Sequence, residues 1–462
     1  MTISASEENY STIYGLEYHS RALAAVQGPL NSVSDVDGER STSETDRVAF
    51  VVGTQSLKYD NQVCLLDYDE ESRHISRNNY AHDAGEIWHL AACPSDGSLI
   101  ATCYSTMVAN NSIKPGCSVW RMRTSRPASG VKASSIQANS VGPKLECVAT
   151  IVNTGNDSSD TNPSKRNNSE ILETVRRTTC FQWQPQLLND ANSAESKAFL
   201  LADNKLIVYQ LHSGAGFEIG GHCEVDSKIN CTLTTAAWSP HHNGNTLAVA
   251  HDSQVHGYDI RVLNERAWTI GNAVHSPVVR CLDFNPNRQY YLASAGDDCA
   301  LKIWDIRSGL TKGPLISITR AHSHWVWAAK YNPVHDQLLL SCSSDARVVL
   351  HCVSSLSSEV PTRPNINELD ACRPAIDGER IRADAANRGI TPDKSGSDTE
   401  FEGGEVGIIP DGVIRKYDEH EESVYCAEWS AADAWVFASL SYDGRVIINK
   451  VPDSIKYTIL NI

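Results

Sequence analysis

A histidine leads an aspartate by 23 positions three times over: His275 and Asp298, His322 and Asp345, His420 and Asp443. Equal intervals mean equal structural units, so the chain is an array of one supersecondary motif rather than an arbitrary arrangement of elements. Between its two markers each unit carries an apolar alternating run, a bend and a second apolar run: VVRCLDFNPNRQYYLASAGDD, WVWAAKYNPVHDQLLLSCSSD and SVYCAEWSAADAWVFASLSYD. A third run follows each Asp, closing on IWDIR at 303–307, VVLHCV at 348–353 and VIINKV at 446–451. Period-two alternation predicts strands, and the breaks between runs predict turns.

The same frame extends upstream with weaker marks. Residues 234–261 align with 280–307 at a constant offset of 46, which sets Trp238 on Phe284, Asp252 on Asp298 and Tyr258 on Trp304, while the leading His is missing. TCFQWQPQ at 179–186 with LADNKLIVYQ at 201–210 forms another unit. His82 with AGEIWHLAACP and CSVWRM at 117–122 forms a further one, and residues 50–69 supply two strands of a first. Seven units result. Repeats of about 43 residues with four strands, a leading His and a closing Trp-Asp predict an all-β fold, a single seven-bladed WD-type β-propeller. One four-stranded sheet cannot bury both faces alone, so blades pack on neighbours around a ring and closure removes the free ends of the array.

The blades are expected near 12–70, 82–152, 173–225, 229–272, 275–319, 322–417 and 420–462. The polar stretches 28–46, 105–116, 123–143, 154–172 and 357–411 read as insertions. Outer strands are expected at 315–319 and 412–417. The segment 12–26 has alternation enough for two strands, one of which is expected to pair with the last blade and close the ring.

Composition narrows the function classes. The 462 residues carry a net charge of −16, and residues 1–46 with 358–412 account for −12 of it. A near-neutral body with acidic appendages offers no footprint for a phosphate backbone, so no nucleic-acid partner is expected. The 14 Cys are scattered without any C-x-x-C, and the start MTISASEENY lacks the basic and apolar stretches of a secretory signal. No apolar run of about 18 residues exists, so any membrane association would be peripheral. These features predict a reducing, cytoplasmic setting in which free thiols persist, with sequons such as Asn110-Asn111-Ser112 accidental. No phosphate-binding loop, H-E-x-x-H or G-x-S-x-G string occurs. Neither the adjacent His241 and His242 nor the alternate His322 and His324 have zinc-ligand spacing to a Cys or carboxylate. The expectation is no enzyme, no cofactor and no metal.

In a propeller of this type His275, Ser294, Asp298 and Trp304 form an intrablade relay in which Asp holds His, His holds Ser and Ser holds the indole. A buried imidazole and indole need such partners. Recurrence in several blades makes the set structural, because an active site would be single. Blade six keeps His322, Ser341 and Asp345 with His351 at the Trp position, and blade seven keeps His420, Ser439 and Asp443 with Asn449 there. Both relays are expected to lack the last step. Trp88, Trp325, Trp327 and Tyr425 fall shortly after a leading His, where the upper rim and central channel would lie. Aromatics are favoured binding anchors, so these four, with Lys58, Glu86 and Arg280, are the candidate partner surface.

Several strings are more specific than the general WD pattern: YGLE at 14–17, FVVGTQSLKYDNQ at 50–62, AGEIWH at 84–89, WSPHHN at 238–243, DFNPNRQYYLASAGDDC at 283–299, HSHWVW at 322–327 and FASLSYDGRVIINKVP at 437–452. By these the chain resembles the family of EARP- and GARP-complex-interacting WD-repeat proteins. The resemblance implies a scaffold that binds the multisubunit tethers of endosomal recycling and of retrograde transport to the trans-Golgi network, promotes their membrane recruitment and performs no catalysis. It does not extend to the inserts. A second resemblance lies in WDIR at 304–307 and YDIR at 258–261, which are similar to the box that docks propellers on the adaptor of cullin-4 ubiquitin ligases. That alternative implies a substrate receptor with Arg261 and Arg307 as adaptor contacts. A closed ring leaves no sheet edge that demands pairing, so a monomer is expected.

Overall fold

Seven antiparallel four-stranded sheets make up the fold, a seven-bladed β-propeller. The computed structural model describes residues 11–28, 47–56, 60–108, 112–123, 143–152, 175–185, 195–212, 216–225, 233–271, 273–308, 312–359 and 409–460. Six sheets are meanders of consecutive strands. Their inner strands are His19–Ala25, Glu86–Ala92, Thr178–Trp183, Leu233–Trp238, Val279–Phe284 and Val326–Tyr331 for blades one to six. The seventh sheet begins at Val424–Trp429 and takes its outer strand from the other end of the chain.

That outer strand is β1, Thr12–Gly15, which pairs antiparallel with Arg445–Lys450 in the register Thr12 to Ile448 and Gly15 to Arg445. The backbone N–H of Leu16 then bonds the Gly444 carbonyl at 2.9 Å. Tyr14 and Leu16 pack on the apolar layer between blades seven and one, so closure joins hydrogen bonding to burial. A short helix, α1 (Asp453–Leu460), follows the last strand and rests Ile455 and Ile459 on the layer between blades six and seven.

Each interface between neighbouring blades has its own apolar cluster, and seven such clusters complete the ring. The second and third strands are nearly continuous apolar runs because both faces of each sheet are covered. Val48–Gln55 and Val436–Ser441 are buried almost throughout. This is the burial that an isolated sheet could not achieve.

Two sequence expectations are corrected. Blade one does not span 12–70: Thr12–Gly15 belongs to blade seven, and the outer strand of blade one, His74–Ala81, lies beyond residue 70. That strand was obscure in HISRNNYA because only Ile75 and Tyr80 are buried, a pattern too sparse for alternation to show. The described residues at the two ends of 105–116 are not a loop insertion. They continue a hairpin, Leu99–Met107 with Ile113–Arg123, paired as far as Met107 and Ile113. Its polar composition hides strands that project past the apolar layers. Gly116 lets the Tyr104 ring lie flat on the backbone, where any Cβ would collide with it, and the Tyr104 hydroxyl meets Ser118 Oγ at 3.0 Å. Most of the other expected insertions, 29–46, 124–142, 153–174 and 360–408, lies outside the described residues.

Candidate functional site

Every inner strand breaks register after its first or second pair, where one extra residue opposes its neighbour strand. The seven residues so placed are Arg21, Trp88, Thr179, Thr234, Arg280, Trp327 and Tyr425. A bulge re-aims a side chain and sharpens the local twist. Repeated in all seven blades, it gathers one side chain per blade at the mouth of the central channel. Contacts across the ring show the convergence. The Arg21 guanidinium carbon lies 5.5 Å from the Trp88 ring centre, 5.3 Å from that of Trp327 and 3.9 Å from that of Tyr425.

Of the candidate surface residues, Trp88, Arg280, Trp327 and Tyr425 are bulge residues of this rim, and Glu86 and Trp325 stand two positions before Trp88 and Trp327. Trp88 and Trp325 are 43% and 42% exposed, unusual for tryptophan on a β-protein surface. Trp327 is partly buried and donates its indole N–H to Ser344 Oγ at 2.6 Å. Its ring is 6.2 Å from Trp325 and 4.9 Å from Tyr425. Arg280 makes a bidentate pair with Asp297 at 2.6 and 2.8 Å and lies over Trp325 and Trp327 at 5.4 and 4.7 Å. Glu86 opens the inner strand of blade two, and burial raises its carboxyl pKa. Lys58 lies outside the described residues. Arg21 escaped the sequence reading, although HSRALAA could have been set against VVRCLDF and WVWAAKY. No leading His marks its strand.

Three residues deeper in the channel, blades five to seven place Asp283, Lys330 and Glu428. Lys330 Nζ pairs with Glu428 Oε1 at 2.9 Å, and Asp283 Oδ2 accepts the backbone N–H of Tyr331 at 2.7 Å. Burial pushes Asp283 up to about 7 against the pull of Lys330. Burial opposes the charge on Lys330, yet the carboxylates of Glu428 and Asp283 raise its pKa on balance. Cys180 of blade three and Cys426, on the same strand as Glu428, are pushed up to about 12 by burial and stay thiols rather than nucleophilic thiolates at neutral pH. Among the described residues no cluster of His, Cys, Asp or Glu is placed to hold a metal ion.

The relay residues lie inside the blades. In blade five His275 Nδ1 meets Asp298 at 2.6 Å, Nε2 meets Ser294 Oγ at 2.7 Å, and the Trp304 indole donates to Ser294 at 2.9 Å. Burial alone would raise Asp298, but hydrogen bonds from His275 and Lys302 outweigh it and hold the carboxyl at about 2. Blade six runs Asp345 to His322 to Ser341 and does not lack its last step, since His351 Nε2 stands 2.7 Å from Ser341 Oγ. Blade seven differs from the expected order. His420 Nδ1 meets Ser441 Oγ at 2.8 Å, and Ser441 in turn bonds Asp443 at 2.5 Å. Its Nε2 meets Ser439 at 2.8 Å, while Asn449 Oδ1 finds no partner among the described residues.

A fourth relay went unread in the sequence. In blade two His82 Nε2 lies 3.1 Å from Thr102 Oγ1, which also accepts the Trp120 indole at 2.8 Å, and the Gly85 carbonyl replaces the Asp at Nδ1. The signal was present: Thr102 follows His82 by 20 positions, where the serines of the other blades follow by 19.

Arg261 and Arg307 are exposed, with side chains 68% and 58% accessible, but each guanidinium is engaged by the Asp two residues earlier, Asp259 or Asp305, at 2.6 Å. Arg307 also lies over Tyr290 at 4.3 Å. The closing Asp-x-Arg is thus a local pair on the blade edge.

Comparison with known proteins agrees with this architecture. A family model described as EIPR1 beta-propeller matches residues 8–351, and one described as WD domain, G-beta repeat matches 412–448. An "EARP-interacting protein homolog" of Gekko japonicus is 38% identical over 458 residues, covering 98% of this chain and 100% of the relative. The human "EARP and GARP complex-interacting protein 1" is 37% identical over 455 residues with the same coverage. An "EARP-interacting protein 1" of Caenorhabditis elegans is 30% identical over 425 residues, covering 91% of this chain and 95% of the relative. With seven blades, a family match over most of its length and relatives aligned end to end, the chain belongs to the EIPR1 β-propeller family.

Proposed function

We propose that this chain is a non-enzymatic scaffold that binds vesicle-tethering complexes of the EARP and GARP type through the rim of its central channel. On this reading it acts in the cytoplasm as a monomer and promotes recruitment of the tethers to endosomes and the trans-Golgi network, in endosomal recycling and retrograde transport. The observation that carries the reading is end-to-end similarity to relatives named for interaction with those complexes. The rim supports it physically. Exposed Trp88 and Trp325 beside Arg21 and Arg280 form the kind of aromatic and arginine cluster that anchors protein interfaces. The buried thiols and intrablade histidines do not offer an activated nucleophile and base in one cleft.

Mixing the purified chain with a purified tethering complex and following the species by size-exclusion chromatography with light scattering tests the reading. A co-eluting complex containing one copy of this chain is expected, and a tether that elutes unchanged at micromolar concentrations of both would overturn it. A tagged chain in cells is expected to overlap tether-positive endosomes, and uniformly diffuse signal would remove the recruitment part.

A further inference from the structure

The ring of bulge residues is not uniform. From blade five round to blade two it reads Arg280, Trp327, Tyr425, Arg21 and Trp88, whereas blades three and four place Thr179 and Thr234 there. The two cations differ in state. Arg280 is neutralised by its bidentate pair with Asp297. Arg21 touches three ring faces from three other blades, and among the described residues no oxygen accepts a hydrogen bond from its guanidinium. A guanidinium carries five donors in a fixed fork suited to a carboxylate. Aromatic walls hold the fork in place and exclude part of the surrounding water, which strengthens a charge-assisted bond to an incoming acid.

We propose that the axial mouth takes an acidic peptide segment of a protein partner, with one peptide carboxylate on the Arg21 guanidinium and neighbouring apolar side chains against Trp88 and Trp325. This assignment rests on the scaffold reading and adds the chemistry of the partner's contact. The acidic stretch of this chain at 357–411 is the competing occupant, and the topology disfavours it. That stretch leaves blade six after Cys352 and returns at Gly412. The opposite end of the same strands meets the mouth, where Ser344 accepts the Trp327 indole and its backbone N–H bonds the Trp325 carbonyl.

The test uses the full chain as wild type, Arg21→Gln and Arg21→Glu, each checked by thermal melting. Each is presented with the intact tethering complex and with short overlapping peptides tiled across its subunits. Every acidic peptide is paired with a copy carrying Asn and Gln for Asp and Glu. The expected result is binding of at least one acidic peptide by wild type, with loss of about tenfold or more for its neutral copy and for Arg21→Glu, and a smaller loss for Arg21→Gln. A folded Arg21→Glu that holds complex and acidic peptides as wild type does would overturn the assignment while the scaffold reading stands. Wild type that captures no tether subunit removes both. Peptide binding that emerges only after deletion of residues 360–408 gives the mouth to that segment and contradicts the proposal. If Arg21→Glu does not fold, Arg21→Gln and the neutral peptides decide, and equal binding of acidic and neutral copies by wild type sinks the idea.

Discussion

His351 Nε2 lies 2.7 Å from Ser341 Oγ in blade six, at the site where blade five sets the Trp304 indole 2.9 Å from Ser294 Oγ. The two occupy the same register position, His351 opposite Leu339 and Trp304 opposite Leu292. Because His322 Nδ1 donates to Asp345, its Nε2 accepts from Ser341, so His351 must donate to the serine through Nε2–H. Burial keeps His351 neutral, pushing its pKa down to about 3, and a neutral ring with Nε2–H is the tautomer the relay needs. Replacing His351 with Ala deletes a fully buried ring and the donor to Ser341. A loss of about 2–4 kcal/mol is expected from the shift in urea midpoint, and an unchanged midpoint would contradict the relay.

Acid should destabilise the ring through its histidines. Burial lowers His82, His89 and His420 to about 4 and His351 to about 3, below the ordinary 6.5. A base with a depressed folded pKa contributes stability that is complete above pH 6.5 and lost as pH falls toward 4. Asp283, raised from 3.8 to about 7, works the other way and favours the folded state as pH falls through 7. Four histidines against one carboxyl leave a net loss, each group contributing about 1.4 kcal/mol per pH unit within its window. Melting temperature should fall steadily from pH 6.5 to 4.5, and a flat profile would refute the burial assigned to these rings.

Ring closure depends on β1. Deleting residues 1–18 removes its four strand pairings with blade seven and the packing of Tyr14 and Leu16, which should cost about 2–4 kcal/mol. Chemical denaturation of the truncated chain measures this. Equal stability would mean that β1 is an ornament rather than the closing strand.

The blade-edge arginines should be dispensable for the fold. Arg261 and Arg307 pair locally with Asp259 and Asp305 in open solvent, where ion pairs contribute little. The double Ala variant should melt with wild type and should keep its hold on the tether.

The sequence made the architecture legible because the fold repeats its own markers. His275, His322 and His420 announce three blades, and a constant offset carries the frame into blades that lack the His. Markers failed where a different group performs the same task. In blade two Thr102 stands for Ser and the Gly85 carbonyl stands for Asp, so the relay exists without its letters. In blade seven Ser441 is interposed between His420 and Asp443, which no spacing rule reveals. The rim was half legible. Trp88, Trp325, Trp327 and Tyr425 were visible as aromatics shortly after a leading His, but no leading His stands before the strand of Arg21. Its role depends on rings from blades two, six and seven that meet only when the circle closes.

The most direct measurement is quantitative capture of tether subunits from cytosol by the wild-type propeller and by a Trp88→Ala, Trp325→Ala, Tyr425→Ala variant matched to it by circular dichroism. Interface aromatics of this kind carry about 1–4 kcal/mol each, so the triple variant should lose capture by at least about tenfold while its β-sheet spectrum is unchanged. Full capture by the folded variant would contradict the claim that the channel rim is the binding surface.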